Sequence, residues 1–377
     1  MIQSVAQGVI ATISTNQNMV KLSDIAAKAG VSESTASRAL ANNPRISEET
    51  KQLVQRLAIE SGYKVNHVAR NLRARSTLTI GLVVPEVSNP FFPKLVQLVS
   101  DSARESGYRL QLHLSGIAQD SEAQCLASLS EQRVDGIVLV TSESGLVARD
   151  ALNEIVASRI PVVLLGWVSD APEVDMVYGD DASGGYQLAK HLVGLGHRRI
   201  AILGAVPHRG PFDRLVGFRK GLAEVDGVSE MEIPARTSEE IKLEIDSLLN
   251  LPNPPTAIFA YQDSLAAIAC RCLRQSCVSI PDQMSVVGFD NLDLGTYLCP
   301  QLTTVDLSME RLASAAVEAL VRRMKVPPSG EVCEQLLIPP QLVLRESSSR
   351  PRSANAIEKS GCPPTGSAPC DSREKQS

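Results

Sequence analysis

Aromatic side chains make up only 3% of this 377-residue chain, and Trp167 is its single tryptophan. Its core must therefore be aliphatic, and the 44% hydrophobic content is enough to build one. No apolar run approaches the ~18–20 residues needed to cross a bilayer; the best is "IPVVLLGWV". The opening "MIQSVAQGVIATIS" has no basic n-region, so a secretory signal is not expected and a cytoplasmic location is. Histidine is scarce, and His67, His113, His191, His197 and His208 show no metal-type spacing. The eight cysteines are scattered. "CRCLRQSC" (Cys270, Cys272, Cys277) lacks a second paired motif, so it reads as thiols on a helix rather than a metal site, in a reduced compartment. Neither a phosphate-binding Walker loop nor a GxSxG elbow occurs. The expectation is a protein that is not an enzyme and carries no cofactor or metal.

Positive charge is also scarce overall, at a net −5, but it is unevenly placed. Residues 1–78 hold ten Lys and Arg against five Asp and Glu, a net of +5, which leaves −10 for the remainder. A small basic head on a large acidic body suggests that only the head meets an acidic polymer.

From residue 79 onward, apolar β-rich runs alternate with helical patterns. The runs are "TIGLVVP" (79–85), "RLQLHL" (109–114), "DGIVLV" (135–140), "IPVVLLG" (160–166), "RIAILG" (199–204), "TAIFA" (256–260) and "SVVGF" (285–289). Near-continuous hydrophobicity fits strands covered on both faces. Helical stretches such as "FPKLVQLVSDSARESG" and "GGYQLAKHLVGLG" lie between them. Strand–helix alternation implies doubly wound parallel sheets, and so many strands exceed one comfortable core, so two similar lobes are expected over 79–346. Residues 1–18 are expected to be a disordered leader. The Ser- and Pro-rich, leucine-free 347–377 is expected to be a disordered tail.

The head, 19–64, reads as a helix-turn-helix. In "LSDIAAKAGVSESTASRAL", Leu22, Ile25, Ala26 and Ala29 recur at helical spacing, and Gly30 breaks the helix. Val31 plugs the turn, and Ser32 caps a second helix whose Ala36 and Leu40 face inward. Ser32 also stands at the start of the outward face, which shows Glu33, Ser34, Ser37 and Arg38. "SEETKQLVQRLAIESG" follows as a bracing third helix, with Ser47 as its cap, Leu53, Val54 and Leu57 packing, and Gly62 as its stop. The alternative is a plain three-helix bundle. The glycine turn, the small alanine-rich face and the +5 charge favour a DNA reader whose second helix enters the major groove.

Residues 20–74, from "VKLSDIAAKAGVSESTASRAL" to "YKVNHVARNLRA", resemble the head of the lactose-repressor (LacI/GalR) family of bacterial transcription regulators. "IGLVVPEVSNPFF", "DDASGGYQLAKHLVGLGHRRIAILG", "RLVGFRKGL", "SVVGFDN" and "PQLTTV" extend the resemblance, in order, to about residue 345. It implies a periplasmic-binding-protein-like core and a dimeric repressor of operator DNA controlled by a sugar-like effector. An activator or a corepressor-dependent regulator is the alternative within the family, and a periplasmic sugar receptor the rival outside it. The resemblance also implies a hinge helix within 65–78, with Asn66, Arg70, Leu72 and Arg73 at the DNA and Leu72 wedging a base step. Val65 stands where the family usually has proline. The family's tetramers need a C-terminal leucine heptad, which 347–377 lacks, hence the dimer.

In open α/β sheets ligands lie at the carboxyl ends of the strands. Asn89, Phe91 and Phe92 follow the first run, Trp167 the fourth, Gln262 and Asp263 the sixth, and Asp290 the seventh. Arg214 matches the family's pocket arginine. Gln262 stands where asparagine is commoner, and Tyr261 is bulky. Each has a structural alternative: Asp290 as a turn cap, Arg214 in an ion pair, Trp167 as core. Gly184 and Gly185 are read as helix-entry packing rather than a phosphate loop.

Overall fold

The computed structural model describes residues 20–63, 76–116, 119–140, 147–168, 173–204, 213–325 and 333–352. The chain divides into two compact units, 1–77 and 78–377. The expected hinge residues Asn66, Arg70, Leu72 and Arg73, and the leader 1–18, lie outside the described residues.

The first unit contains α1 (Leu22–Ala29), α2 (Glu33–Leu40) and α3 (Glu48–Glu60). Gly30 ends α1 in the left-handed region at φ 67°, a conformation glycine adopts without a Cβ penalty. Ser32 caps α2 by accepting from the Thr35 N–H at 3.1 Å, and Ser47 caps α3 in the same way. Ile25, Ala26, Ala36, Ala39 and Val54 form its small core, with Val31 and Leu40 packed against it.

The second unit has two parallel sheets. The first lobe carries β1 (Thr79–Val84), β2 (Arg109–Leu114), β3 (Gly136–Val140), β4 (Val162–Leu165), β5 (Asp175–Gly179) and β11 (Gln335–Ile338), in the order β11-β5-β4-β3-β1-β2. The second lobe carries β6 (Arg199–Leu203), β7 (Ser229–Ile233), β8 (Ala257–Ala260) and β9 (Ser285–Val287), in the order β7-β6-β8-β9. β10 (Thr304–Asp306) and β12 (Gln341–Val343) form a small antiparallel pair. The helices are α4 (Phe91–Glu105), α5 (Gln119–Glu131), α6 (Arg149–Ala157), α7 (Asp181–Leu195), α8 (Arg214–Ala223), α9 (Ser238–Leu249), α10 (Asp263–Gln275), α11 (Leu294–Tyr297) and α12 (Met309–Lys325). Among the described residues no helix is long and apolar enough to cross a membrane.

The chain passes between the lobes three times: from β5 to α7, from β10 to α12, and from β11 to β12. The Asp180 N–H donates to the Ile338 carbonyl at 2.9 Å, which fastens the first passage to the third. α12 returns to cover β3, β4 and β5 beside α4, and Arg323 on it donates to both oxygens of buried Asp175 at 2.8 and 2.7 Å. The two lobes are thus held by interleaved segments rather than by one linker.

The seven expected strands are present. β5, β7, β10, β11 and β12 were not anticipated; "SEMEI" (β7) is an edge strand with four exposed residues and shows no continuous apolar run. The tail boundary at 347 needs correction. Ser347 is fully buried, its hydroxyl accepting from the Thr303 N–H at 2.8 Å and donating to the Val286 carbonyl at 2.5 Å. The Ser349 N–H donates to Ser285 Oγ, and Arg352 pairs with Asp282. Serine-rich composition signals solvation, yet here the hydroxyls complete backbone hydrogen bonds along β9.

Candidate functional site

Two glycines set the geometry of the second lobe's strand ends. A Cβ on Gly185 of α7 would lie 1.8 Å from the Arg214 carbonyl oxygen, and one on Gly217 of α8 would lie 1.7 Å from that of Ala182. α7 and α8 therefore touch backbone to backbone, which confirms the helix-packing reading of "DDASGGY". Because these contacts fall at both helix N-termini, they bring Arg214 against Asp181. Asp213 caps α8 from the Leu215 N–H at 2.7 Å and accepts from the Tyr261 hydroxyl at 2.9 Å.

Arg214 is the centre of the site. Its Nε and Nη2 donate to Asp181 Oδ2 at 3.2 and 2.7 Å. Nη1 donates to the Tyr261 carbonyl at 2.6 Å and to Asp290 Oδ1 at 3.2 Å. The guanidinium lies over the Phe289 ring at 3.8 Å and near the Tyr261 ring at 4.8 Å. Burial works against its charge, but Asp181 and Asp290 outweigh burial and hold it firmly protonated. Asp290 sits in the left-handed region at φ 107°, a conformation that costs a non-glycine residue about 1–3 kcal/mol. Burial, more than the pull of Arg214, decides its titration and pushes its carboxyl up to about 8. The surroundings of Asp290 thus hold both a strained backbone and a displaced carboxyl at one residue.

From the first lobe, Asn89 reaches the second lobe with Phe91 beside it, whereas Trp167 packs against the first lobe's own core. Asn89 Oδ1 accepts from the Phe91 N–H at 3.0 Å, while its amide donates to Gln262 Oε1 of the second lobe at 3.4 Å. Lys94 of α4 also reaches the second lobe, pairing with Asp293 at 3.5 Å. Phe91 and Trp167 are half-buried.

Two expected ligand contacts need correction. Phe92 is a core residue of α4, edge-on to Phe91 with ring centroids 5.3 Å apart. Asp263 is wholly enclosed. It accepts from Thr304 Oγ1 at 2.6 Å and the Leu292 N–H at 2.8 Å, and burial pushes it up to about 6. It holds the loop after β9 in place, and a Cβ on Gly288 would lie 2.1 Å from its Oδ1. Tyr261 is likewise buried and does not narrow the cleft. Sequence reasoning missed Asp181 and Asp213. The acidic pair in "DDASGGY" was the available signal for Asp181, but the glycines drew the attention.

On the first unit, Ser32, Glu33, Ser34 and Arg38 are exposed and Ser37 half-exposed along one face of α2. The Ser32 oxygen is engaged as the cap.

Residues 21–66 match the model of bacterial regulatory proteins of the lacI family, and residues 189–348 that of a periplasmic binding protein-like domain. The transcriptional regulator DegA of Bacillus subtilis is 34% identical over 331 residues, covering 86% of this chain and 97% of that protein. The chain belongs to the LacI family. The ribose operon repressor of Haemophilus influenzae is 32% identical, with 87% and 98% covered. The crystal structure of the lac repressor dimer bound to operator and an anti-inducer superposes with a TM-score of 0.75 at 25% identity, covering 88% of this chain and 99% of that one. As a LacI-family member the protein is a DNA-binding transcriptional regulator with a small-molecule effector domain.

Proposed function

We propose that the protein is a cytoplasmic, homodimeric repressor whose operator affinity is set by a sugar-like effector held between the two lobes. The observation that carries this reading is the Arg214–Asp181–Asp290 cluster. It is a charged, preorganised group at the strand ends of one lobe, bonded to the Tyr261 carbonyl beside Gln262, which accepts from the Asn89 amide of the other. Charge-assisted bonds grip hydroxyls, and an aromatic face covers the apolar side of a sugar ring. Effector binding shifts the balance between two lobe arrangements through the three passages, and the hinge segment transmits that shift. In this reading Glu33, Ser34, Ser37 and Arg38 address base edges, Ser32 positions α2, Leu72 wedges the minor groove, and Asn66, Arg70 and Arg73 hold the backbone. The 65–78 and 353–377 segments serve as hinge and tail.

Selection of bound sequences from random DNA by the full chain, at two salt concentrations, tests the DNA half of this reading. The expected result is a pseudo-palindrome with half-sites about one helical turn apart. Arg38→Ala relaxes one base pair per half-site, while Arg73→Ala weakens all sequences alike and lowers the salt slope by about one per protomer. An asymmetric single-copy motif, or an unchanged Arg38→Ala profile, contradicts it. Sedimentation checks the dimer.

A further inference from the structure

We propose that the effector meets the second lobe through uncharged, hydrogen-bond-donating groups, as a neutral polyol does with a pair of hydroxyls, and that a phosphorylated or carboxylated form of the same ligand is excluded. This rests on the reading of the cleft as the effector site.

The argument begins with a count of donors and acceptors. A guanidinium has five N–H groups. Four of those on Arg214 are engaged, by Asp181 Oδ2 twice, by the Tyr261 carbonyl and by Asp290 Oδ1. One Nη2 hydrogen is left. Among the described residues, nothing is recorded as donating to Asp181 Oδ1 or Asp290 Oδ2. The cluster therefore offers a ligand one N–H donor, the Asp181 Oδ1 acceptor, and at Asp290 Oδ2 an oxygen that accepts or, when protonated, donates. A hydroxyl both donates and accepts, so two neighbouring hydroxyls satisfy this set; a phosphate only accepts.

Charge points the same way. The Asp181 side chain is 21% exposed, against 6% for Arg214 and 3% for Asp290, so an approaching ligand meets the Asp181 carboxylate first. Asp181 by itself cancels the guanidinium, whatever proton Asp290 holds. Buried Asp213 and Asp263 add acidic groups behind it. Among the described residues, the other cations near these strand ends have partners of their own. Lys94 pairs with Asp293. Arg345 donates to the Leu302 carbonyl and to Asn291 Oδ1. Arg236, after β7, donates to the Gly204 carbonyl at the end of β6 at 3.4 Å.

The test is calorimetric titration of the full chain with matched pairs, D-ribose against D-ribose 5-phosphate and D-glucose against D-glucose 6-phosphate. The expected result is that at least one parent sugar binds and its phosphate binds about a hundredfold more weakly, since like charges set together cost several kcal/mol. Asp181→Asn should narrow that ratio about tenfold, whatever it does to the parent sugar. A phosphate that binds as tightly as its parent overturns this inference and leaves the effector cleft standing. A ratio unchanged in folded Asp181→Asn overturns the charge argument. If neither member of any pair binds, the sugar-like effector reading falls and this inference falls with it.

Discussion

The two lobes of the core share one plan, a parallel sheet flanked by helices, yet they bring opposite chemistry to the cleft. The first lobe brings an amide, Asn89, beside the half-buried ring of Phe91. The second supplies a buried guanidinium with carboxyls bonded around it. The difference lies in what stands at the strand ends, not in the sheets, which is how one fold serves many ligands. An arginine held by two acids and a backbone carbonyl, and locked by two backbone-contact glycines, fixes orientation. The first lobe meets the second through the Asn89–Gln262 bond and the Lys94–Asp293 pair.

The largest effect separating the lobes should come from their glycines. Gly185→Ala drives a methyl into the Arg214 carbonyl, a backbone atom that cannot yield. It should cost more than ~3 kcal/mol in urea denaturation. Gly81→Ala of β1 meets only the Leu129 side chain, at 2.7 Å, and should cost about 1–2 kcal/mol as that leucine shifts. Equal losses would erase the contrast between a rigid and a yielding lobe.

Effector response comes next. Arg214→Ala should abolish it while the folded protein still binds operator, whereas Asn89→Ala should weaken effector binding about tenfold, the worth of one ordinary hydrogen bond. Titration of operator-bound protein with effector, followed by anisotropy, measures both. If the two variants lose the same amount, the lobes share the anchoring equally.

Stability against pH sharpens the comparison further. Asp263 and Asp290 are pushed up to about 6 and about 8, above the ~3.9 of an unfolded aspartate. The folded state then binds more protons than the unfolded one, so their contribution is present at low pH and is lost as pH rises through these values. His197 acts in the opposite sense. Buried and bonded to Thr256 and to the Ser349 carbonyl, it is pushed down to about 4, so its contribution is lost as pH falls from 6.5 toward that value. The window between pH 6.5 and 8 therefore isolates Asp290. Thermal denaturation across it should show stability falling as pH rises, and Asp290→Asn should flatten the curve. The smallest effect is expected for Lys94→Ala, below ~1 kcal/mol, because its partner Asp293 is 76% exposed and the pair is 3.5 Å apart.

Much of this was legible beforehand. Ser32, Gly30 and Ser47 announced the head because capping and left-handed turns are local chemistry. Six buried strands announced the core because continuous apolar runs have few other uses; the seventh expected strand, β2, is a partly exposed edge strand. The polar edge strand β7 and the serine strap at 347–352 were hidden, since both draw their order from distant partners. Asp290 and Asn89 were singled out from their places after strands, and Arg214 from the family resemblance. Asp263 and Phe92 were misread because position at a strand end does not say which way a side chain turns. Asp181 was passed over because its partner lies thirty-three positions away, a pairing created by the glycines and not written in any local pattern.

The most direct test is operator affinity of the full chain and of Asp290→Asn, each with and without a bound effector. The account predicts that the variant binds operator within about threefold of the parent chain and no longer responds to effector. A folded Asp290→Asn that keeps its response, or that loses operator binding without any effector present, would contradict the claim that this lobe's buried cluster is the effector's anchor.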